Sequence, residues 1–316
     1  MSKKRDYIAE IEAIRGRKQS GVNTELVTRL FSLQRAFEAR SAADAEMMRY
    51  FPVALVACIE GYARAAIAEL VDAGDPYLAN SGKLELMKID FSILRAIHGK
   101  TVSVGELVAH SVSLSRLGDV DAHLSTITGE NFLKKLSRVC DRWLSVTSGE
   151  PERPMLDDPS KVFAGVARTF ELRHIICHET ASAYTISVEE IENCFESCVL
   201  FLTATLELLF QTLLPNAPLT QMAMNDDAAK SLAASEAVCA EALYDARKRV
   251  ADGEMPAFDE AQTRWEEFAN AWVHFVVGPQ EGSIWPMLYA RASEHLVNKR
   301  IEILKEWRRP YESGSA

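Results

Sequence analysis

Several features are scarce in this chain of 316 residues, and each scarcity excludes a class of protein. Glycine and proline number only 15 and 11, which fits a helical protein better than a β-sandwich. No uninterrupted apolar run approaches the roughly 18 residues that a membrane-spanning helix needs. We therefore expect an all-α protein that does not cross a membrane.

The N-terminal residues and the cysteines point to the cytoplasm. The first six residues, Met1–Asp6, include three basic side chains and lead into no apolar signal core. The six cysteines form no C-x-x-C pair and lie mostly in apolar helical surroundings, which indicates reduced, buried thiols. Cys194 and Cys198 are spaced to touch on a helix, but a zinc site would need two further ligands. No metal and no other cofactor is expected.

The charge of the chain disfavours general nucleic-acid binding, because the formal net charge is −10. The distribution is uneven: residues 1–40 hold nine Lys and Arg against five Asp and Glu, whereas residues 219–316 hold eleven against sixteen. An acidic protein of this kind would bind RNA only where its cations gather in one cleft.

Helical periodicity covers most of the chain, with Pro215–Pro218 as the clearest boundary. We therefore divide it into a helical domain, 1–214, and a small three-helix domain, 219–309. The helices predicted in the first domain are 5–19, one starting near Glu25, the buried helix 52–73, 83–98, 131–145, 160–170 and 188–214. Those predicted in the second are 220–250, 258–276 and 283–307, separated by Asp252-Gly253 and Gly278-Pro279.

The stretch Glu171–Glu179 concentrates chemistry-bearing side chains: an arginine, two of the chain's seven histidines and two carboxylates lie within nine residues. In a helix, His174 and His178 lie on one face because they are four residues apart. An arginine offers a permanent charge and a fork of donors that matches phosphate oxygens. A histidine exchanges a proton near neutral pH. The combination favours chemistry on a phosphate.

The spacing Arg173-His174-x-x-x-His178 resembles the signature of the HEPN superfamily of ribonucleases. Two further features are similar to that superfamily: Glu60-Gly61-Tyr62 within a long early helix, and the position of the motif just before the last helix of the bundle. The resemblance implies a HEPN-type helical bundle and a metal-independent endoribonuclease. The reaction it implies is attack by the ribose 2′-OH on the adjacent phosphorus, leaving a 2′,3′-cyclic phosphate and a 5′-OH end.

The resemblance also implies roles for individual residues. His178 would be the general acid or base, Arg173 would stabilise charge on the phosphoryl oxygens, and His174 would orient the phosphate or bond to backbone. Glu60 and Glu171 are supporting candidates that hold the arginine or tune a histidine. Glu60 either lies at the edge of the apolar core or faces a polar cleft and pairs with Arg173. The superfamily builds its cleft from two motif copies, so we expect a homodimer with Arg173 and His178 at the two-fold axis.

The second domain resembles the LprI-like domain, named for a lysozyme inhibitor. The matching pieces occur in order over nearly all of 219–305: Thr220-Gln221-x-x-Met224-Asn225, Tyr244, Ala261-Gln262-x-x-Trp265-x-x-Phe268-x-x-Ala271, Gly282-Ser283-x-x-Pro286-Met287 and Arg300. Members are usually exported and carry paired cysteines. Here Asp227, Trp272 and Ala292 stand at or near expected cysteine positions and Cys239 remains, so the domain must rely on core packing, which puts lysozyme inhibition in doubt.

Other readings of the motif remain open. Glu171-x-x-His174 has the spacing of a carboxylate-bridged di-iron site, although no second Glu-x-x-His exists. Nucleophilic chemistry at Cys177 is disfavoured because adjacent helical residues point about 100° apart. A non-enzymatic alternative is a dimerising module without activity whose LprI-like domain binds a protein partner. For the nuclease we expect a toxin or phage-defence setting, with RNA as substrate and an antitoxin or protein trigger as partner.

Overall fold

The computed structural model of the protein describes residues 6–17, 21–40, 45–84, 91–99, 101–149, 151–179 and 184–307. Within these ranges it contains fourteen α-helices and no β-strand, which confirms the predicted all-α class. An isolated antiparallel bridge pairs Cys140 with Pro154.

The chain divides into two compact units, Met1–Asp141 with Pro151–Asn216 (unit 1) and Arg142–Glu150 with Ala217–Ala316 (unit 2). The sequence-based division at residue 214 assigned residues 142–150 to the first domain, whereas in the structure they group with unit 2. The helices of unit 1 are α1 (Tyr7–Arg15), α2 (Val22–Glu38), α3 (Ala45–Asp72), α4 (Tyr77–Ser81), α5 (Phe91–His98), α6 (Val104–Ser111), α7 (Leu117–Thr128), α8 (Phe132–Leu136), α10 (Pro159–His178) and α11 (Val188–Leu213). Those of unit 2 are α9 (Arg142–Ser148), α12 (Gln221–Arg247), α13 (Met255–Val277) and α14 (Trp285–Glu306).

Helix α3 is the centre of unit 1 and packs against α2, α6, α10 and α11. Its side chains Phe51, Leu55, Ile59, Ile67 and Leu70 are at most 1% exposed. Full burial of side chains of this size stabilises a fold by about 1.5–3 kcal/mol each, before the loss of chain entropy is counted. The predicted buried helix 52–73 is therefore confirmed, although it begins earlier, at Ala45.

Helices α10 and α11 approach each other closely because Gly165 faces Ser197 across their interface. A Cβ atom at Gly165 would collide with the Ser197 hydroxyl, so the position requires a residue without a side chain. Next to this contact, the buried Cys198 thiol donates a hydrogen bond of 3.5 Å to Thr169 Oγ1. The close packing fixes the axis of α10, and with it the direction of the Arg173–His178 stretch.

Two predicted segments differ in the structure, and a third lies partly outside the described residues. The predicted helix 131–145 is interrupted between α8 and α9, because Met155 N–H binds the carbonyl of buried Val139 at 2.8 Å and draws that backbone out of helical geometry. The predicted helix 160–170 continues to His178, so the motif lies at the end of this helix. Of the predicted helix 83–98, residues 85–90 lie outside the described residues, and α5 covers the remainder from Phe91.

Unit 2 consists of the three predicted long helices α12, α13 and α14, together with the short α9. Helices α12 and α14 pack along their length, and α13 packs against α14. Their central cluster is small, with five buried hydrophobic residues: Cys239, Ala242, Ala246, Ile301 and Leu304. Leu243, Phe258 and Val297 pack against this cluster, which is much smaller than the cluster around α3 in unit 1.

Two helices of unit 1, α3 and α11, are long and apolar enough to cross a membrane by length and composition alone. Neither helix is an uninterrupted apolar run of about 18 residues; each reaches this hydropathy as the mean of a window that also contains polar residues. In unit 1 both are core helices, and 61% and 50% of their most apolar windows are buried within the protein.

Candidate functional site

The Arg173–His178 stretch forms the last two turns of α10, which ends at His178. Buried Val162, Val166 and Thr169 define the stripe of this helix that faces the core. Arg173 continues that stripe at helical spacing, whereas His174 and His178 lie on the exposed side. The helix therefore directs its guanidinium toward the bundle and its two imidazoles toward solvent.

Arg173 is held near Glu60, which lies on the central helix α3. The closest approach is 3.7 Å, between Arg173 Nη2 and Glu60 Oε1, and the two side chains are 29% and 26% exposed. The predicted pairing of Glu60 with Arg173 is therefore present. At 3.7 Å the two groups form an ion pair and not a hydrogen bond, and no other described residue accepts a hydrogen bond from the Arg173 guanidinium.

The two histidines are exposed neighbours, as the spacing predicted. Their ring centroids lie 5.1 Å apart with the planes tilted by 45°. Cys177, one residue before His178, is also exposed. Neither imidazole is enclosed in apolar packing, so both are accessible to a solute.

Arg173 and His178 leave α10 in different directions. Five residues at 3.6 per turn place their side chains about 140° apart around the axis, with their Cα atoms separated by about 7.5 Å along it. The angle between Arg173 and His174 is about 100°. A single copy of the helix therefore does not aim Arg173 and His178 at one point without a large rotation of the arginine side chain.

Glu171 does not hold Arg173, contrary to one of the roles predicted for it. Its carboxylate accepts a hydrogen bond of 2.7 Å from Arg168, which also binds Glu190 at 2.8 Å and the Tyr184 hydroxyl. The hydrogen bond with Glu171, followed by that with Glu190, raises the pKa of Arg168 above its usual range. Arg168 thus joins α10 to the start of α11. The Arg168-x-x-Glu171 spacing was a signal for this pair that the sequence analysis did not use.

The structure offers no support for a metal at the motif. Among the described residues, no group of three or more His, Cys, Asp and Glu side chains is placed to hold a metal ion. Glu171, the proposed first ligand of a di-iron arrangement, is engaged by Arg168. Of the six cysteines, all are free thiols, and burial raises the pKa of Cys198 to about 12, which makes it a poor nucleophile.

In unit 2, residues that carry the LprI resemblance meet in a polar network between α13 and α14. Buried Gln262 accepts two hydrogen bonds from Arg300, at 3.0 and 2.8 Å, and donates one of 2.9 Å to Glu266. The Arg300 guanidinium also lies over the Trp265 ring, 5.5 Å from its centroid. Burial of the guanidinium is the main influence on Arg300 and lowers its pKa below the usual value. These separated motif residues thus act together in holding the helices.

A second network lies where a cysteine was expected. Asp227 on α12 pairs with Arg291 on α14 at 2.6 Å, and Arg291 also pairs with Glu294 at 3.0 Å. Glu294 in turn accepts a hydrogen bond from Ser231 on α12. At this position an ion pair, and not a covalent bond, joins the two helices.

Helix α13 exposes an aromatic stripe that the sequence analysis did not identify as a surface. Phe268, Trp272 and Phe275 are 55%, 45% and 76% exposed, and their rings contact one another in order along the helix. Three other tryptophans of this unit, Trp265, Trp285 and Trp307, are partly buried. We call Phe268, Trp272 and Phe275 the aromatic stripe.

Comparison with known proteins shows that most of unit 2 matches a protein family. The family model described as "Lysozyme inhibitor LprI" matches residues 215–304, which nearly coincide with α12–α14. No curated protein and no solved structure matches the chain. The predicted LprI resemblance is thus confirmed, and it carries no information on Arg173 and His178. Residues 215–304 are an LprI-like domain.

Proposed function

We propose that unit 1 is a metal-independent endoribonuclease of the HEPN type and that its active groups are Arg173 and His178. The observation that carries the proposal is the loosely held guanidinium of Arg173 beside two exposed imidazoles at the end of α10. An arginine with unused N–H donors suits a phosphate, and an accessible imidazole suits proton transfer at neutral pH.

In this reaction His178 transfers a proton between the ribose 2′-OH and the leaving 5′-oxygen. Arg173 binds the phosphoryl oxygens as negative charge builds on them, and His174 orients the phosphate from one turn away. Glu60 holds Arg173 toward the bundle before RNA binds, and the arginine leaves this ion pair to bind the phosphate. Glu171 has a structural part only, because Arg168 holds it.

The 140° divergence of Arg173 and His178 is the reason to include a homodimer in the proposal. If two copies of α10 meet end to end about a two-fold axis, the arginine of one copy lies near the histidine of the other. The paired arginines also raise the local positive charge, which offsets part of the net charge of −10.

Sequencing of RNA ends tests the nuclease directly. Purified protein with EDTA present should produce 2′,3′-cyclic phosphate and 5′-OH ends, and His178→Ala should lower the rate by about 10²-fold or more. The matched control is His98→Ala, because His98 is also an exposed histidine that ends a helix. Equal cleavage by His178→Ala and the wild type would contradict the proposal.

Two further measurements address the assembly and the setting. Light scattering after size exclusion should give twice the chain mass of 35.2 kDa for the full-length protein. Cytoplasmic expression should slow growth with the wild type and not with His178→Ala if the protein is a toxin or phage-defence effector. An antitoxin or protein trigger should restore growth when it is co-expressed.

A second candidate function rests on the aromatic stripe of unit 2. Three exposed, contiguous aromatic rings are unusual on a solvated helix and are typical of protein-binding surfaces. In this alternative unit 1 is a catalytically inactive dimerising module, and the LprI-like domain binds a protein such as a lysozyme. A lysozyme activity assay with Trp272→Ala, compared with the exposed-face control Arg264→Ala, tests it. If the full-length protein leaves lysozyme activity unchanged, lysozyme is not the partner.

A further inference from the structure

A long trough runs along the face of α3 in unit 1. Its volume is about 1,210 Å³, and its walls come from α1, α2, α6 and the end of α11. The residues of α3 that line it extend from Ala54 to Ala73, a distance of about 28 Å along the helix axis. The trough is therefore elongated, and it suits a linear molecule better than a compact one.

The floor of the trough is apolar and has free space at its centre. On α3 it is formed mainly by small residues: Ala54, Ala57, Cys58, Gly61, Ala65 and Ala68. A Cβ atom added to Gly61 would meet no other atom within 4 Å. Small side chains in a row leave room for an aliphatic chain to lie against the helix and bury its methylene groups.

The five carboxylates that line the trough all interact with other groups of the protein. Glu60 and Glu106 form ion pairs with arginines, Asp72 accepts a hydrogen bond from the backbone of α6, and Glu25 and Glu69 interact with other protein groups. A cationic ligand would have to displace one of these contacts, and it would lose part of its hydration as it did so.

The three arginines that line the trough are engaged in the same way. Arg15 binds Glu106, Arg29 binds the Tyr50 hydroxyl, and Arg64 binds a backbone carbonyl of α6. The carboxylates of the lining outnumber these arginines, so the trough repels an anion. Because a charged ligand of either sign is disfavoured, the trough suits an uncharged one.

Tyr62 brings one polar group into this apolar lining. Its side chain is only 5% exposed, and no described residue forms a hydrogen bond with its hydroxyl. The protein does not enclose that oxygen completely, so its accessible side faces the trough. Burial, and then the charge of Glu69, raises the pKa of Tyr62, so the hydroxyl stays protonated and can donate a hydrogen bond. A buried hydroxyl without a partner is costly, and an acceptor on a ligand would remove that cost.

We propose that the trough binds an uncharged single-chain acyl ester, whose carbonyl accepts a hydrogen bond from Tyr62 and whose aliphatic chain lies along the small residues of α3. The ester carbonyl supplies an acceptor without a charge. Tyr62 lies about 12 Å from Ala54 and about 16 Å from Ala73 along the helix axis, so the floor extends to both sides of the carbonyl. The site does not depend on the proposed ribonuclease function.

Calorimetric titration of the full-length protein with monodecanoylglycerol, below the concentration at which this ester aggregates, tests the site. Gly61→Leu should weaken binding by about tenfold or more, because the new side chain occupies the floor. The matched control is Gly118→Leu on α7, at another exposed helical glycine that has no atom within 4 Å of an added Cβ and lies outside the trough. It should leave the affinity unchanged. Far-UV circular dichroism of each variant verifies folding.

Tyr62→Phe tests the hydrogen bond while it keeps the aromatic ring. It should weaken ester binding several-fold, because the carbonyl loses its donor. Tyr77→Phe, at a partly buried tyrosine that packs on the same core outside the trough, should not change the affinity. Because the ring is retained, this pair of variants still decides the question if Gly61→Leu does not fold.

The ligand class is tested with decanoate and decylamine, which carry a chain of the same length on a negative or a positive head. Both should bind more weakly than the ester. Ester binding that Gly61→Leu and Tyr62→Phe each weaken supports the proposal. Absence of ester binding, tighter binding of either charged compound, or an unchanged affinity in either variant would overturn it.

A second copy of the chain is the competing occupant of the trough. Light scattering that shows a dimer for the wild type and a monomer for Gly61→Leu would overturn the proposal, because the trough would then be an interface between copies. RNA cleavage plays no part in these measurements. Failure of the proposed nuclease would therefore leave the ester site standing, and absence of ester binding would leave the nuclease standing.

Discussion

Units 1 and 2 are both helical, but different forces hold them together. Unit 1 surrounds α3 with one continuous apolar cluster that includes α10 and α11. The central cluster of unit 2 has five buried residues, two of which are alanines, and its helices are joined by the Gln262 and Asp227 networks. We therefore expect truncation of a buried side chain to destabilise unit 1 more than unit 2. Removal of a hydrogen-bond or ion-pair partner should destabilise unit 2 more than unit 1.

The tryptophans allow the two units to be followed separately. All five, Trp143, Trp265, Trp272, Trp285 and Trp307, belong to unit 2. Tryptophan fluorescence therefore reports unfolding of unit 2, whereas far-UV circular dichroism reports the helices of both. Three of the predictions below use this difference.

The largest effect is expected for Phe51→Ala. Phe51 is fully buried and contacts the rings of Phe37 and Phe195, so its loss leaves a cavity and should cost about 3–5 kcal/mol. The circular dichroism transition should move to lower urea while the fluorescence transition stays in place. Phe91→Ala, at a residue that is 81% exposed, is the control. Equal shifts of both signals would break the comparison, because the two units would then unfold as one.

The next effect is expected for Gln262→Ala in unit 2. This change removes the acceptor of two hydrogen bonds from the partly buried Arg300 and should cost about 1–3 kcal/mol. The fluorescence transition should move and the part of the circular dichroism change that belongs to unit 1 should not. Lys299→Ala, which removes only an exposed pair with Glu302, should have little effect. Similar losses in the two variants would mean that the network contributes no more than a surface contact.

A smaller, pH-dependent effect is expected for Glu106→Gln in unit 1. Burial acts to raise the pKa of Glu106, but hydrogen bonds from Arg15 and the Ser103 backbone and the charge of Arg15 outweigh it and leave the pKa lowered. A lowered folded-state pKa stabilises the fold above the ordinary carboxyl pKa, and this contribution is lost as the pH falls through the lowered value. The substitution should therefore cost about 1 kcal/mol at neutral pH and little at about pH 3.

Urea titrations followed by circular dichroism at several pH values measure that difference. Glu130→Gln, at an exposed carboxylate paired with Lys135, is the control. A cost for Glu106→Gln that stays constant with pH would show that its charge does not matter.

The smallest effect is expected for Asp227→Asn. Asp227 and Arg291 are 51% and 48% exposed, and pairs of this kind contribute up to about 1 kcal/mol and are screened by salt. The fluorescence transition should shift slightly at low salt and not at about 1 M salt. Asp226→Asn, at the neighbouring exposed carboxylate, is the control. A large shift that persists at high salt would show that the Asp227 network stabilises unit 2 about as much as a disulfide would.

The Arg173–His178 motif shows which side-chain contacts could be predicted from the spacing of residues along the sequence. The four-residue interval predicted that His174 and His178 share a face, and their rings are indeed neighbours. The odd carboxylate within the apolar stretch of α3 correctly suggested a pair between Glu60 and Arg173. Spacing also favours the pair of Glu171 with Arg168, three residues before it, over a pair with Arg173, two residues after it, because residues two apart do not face each other on a helix.

The sequence by itself determined the helical class, the three helices of the LprI-like domain and the candidate residues of the motif, because periodicity and turn residues act over short distances. Only the tertiary structure decided where the helix 131–145 is interrupted, that Arg168 also binds Glu190 and Tyr184, and that Glu60 approaches Arg173. These features depend on backbone pairing and side-chain competition between segments far apart in the chain. Gln262, Trp265 and Arg300 needed both kinds of information. Their order in the sequence identified them as LprI-like, and the packing of α13 against α14 brought them into one network.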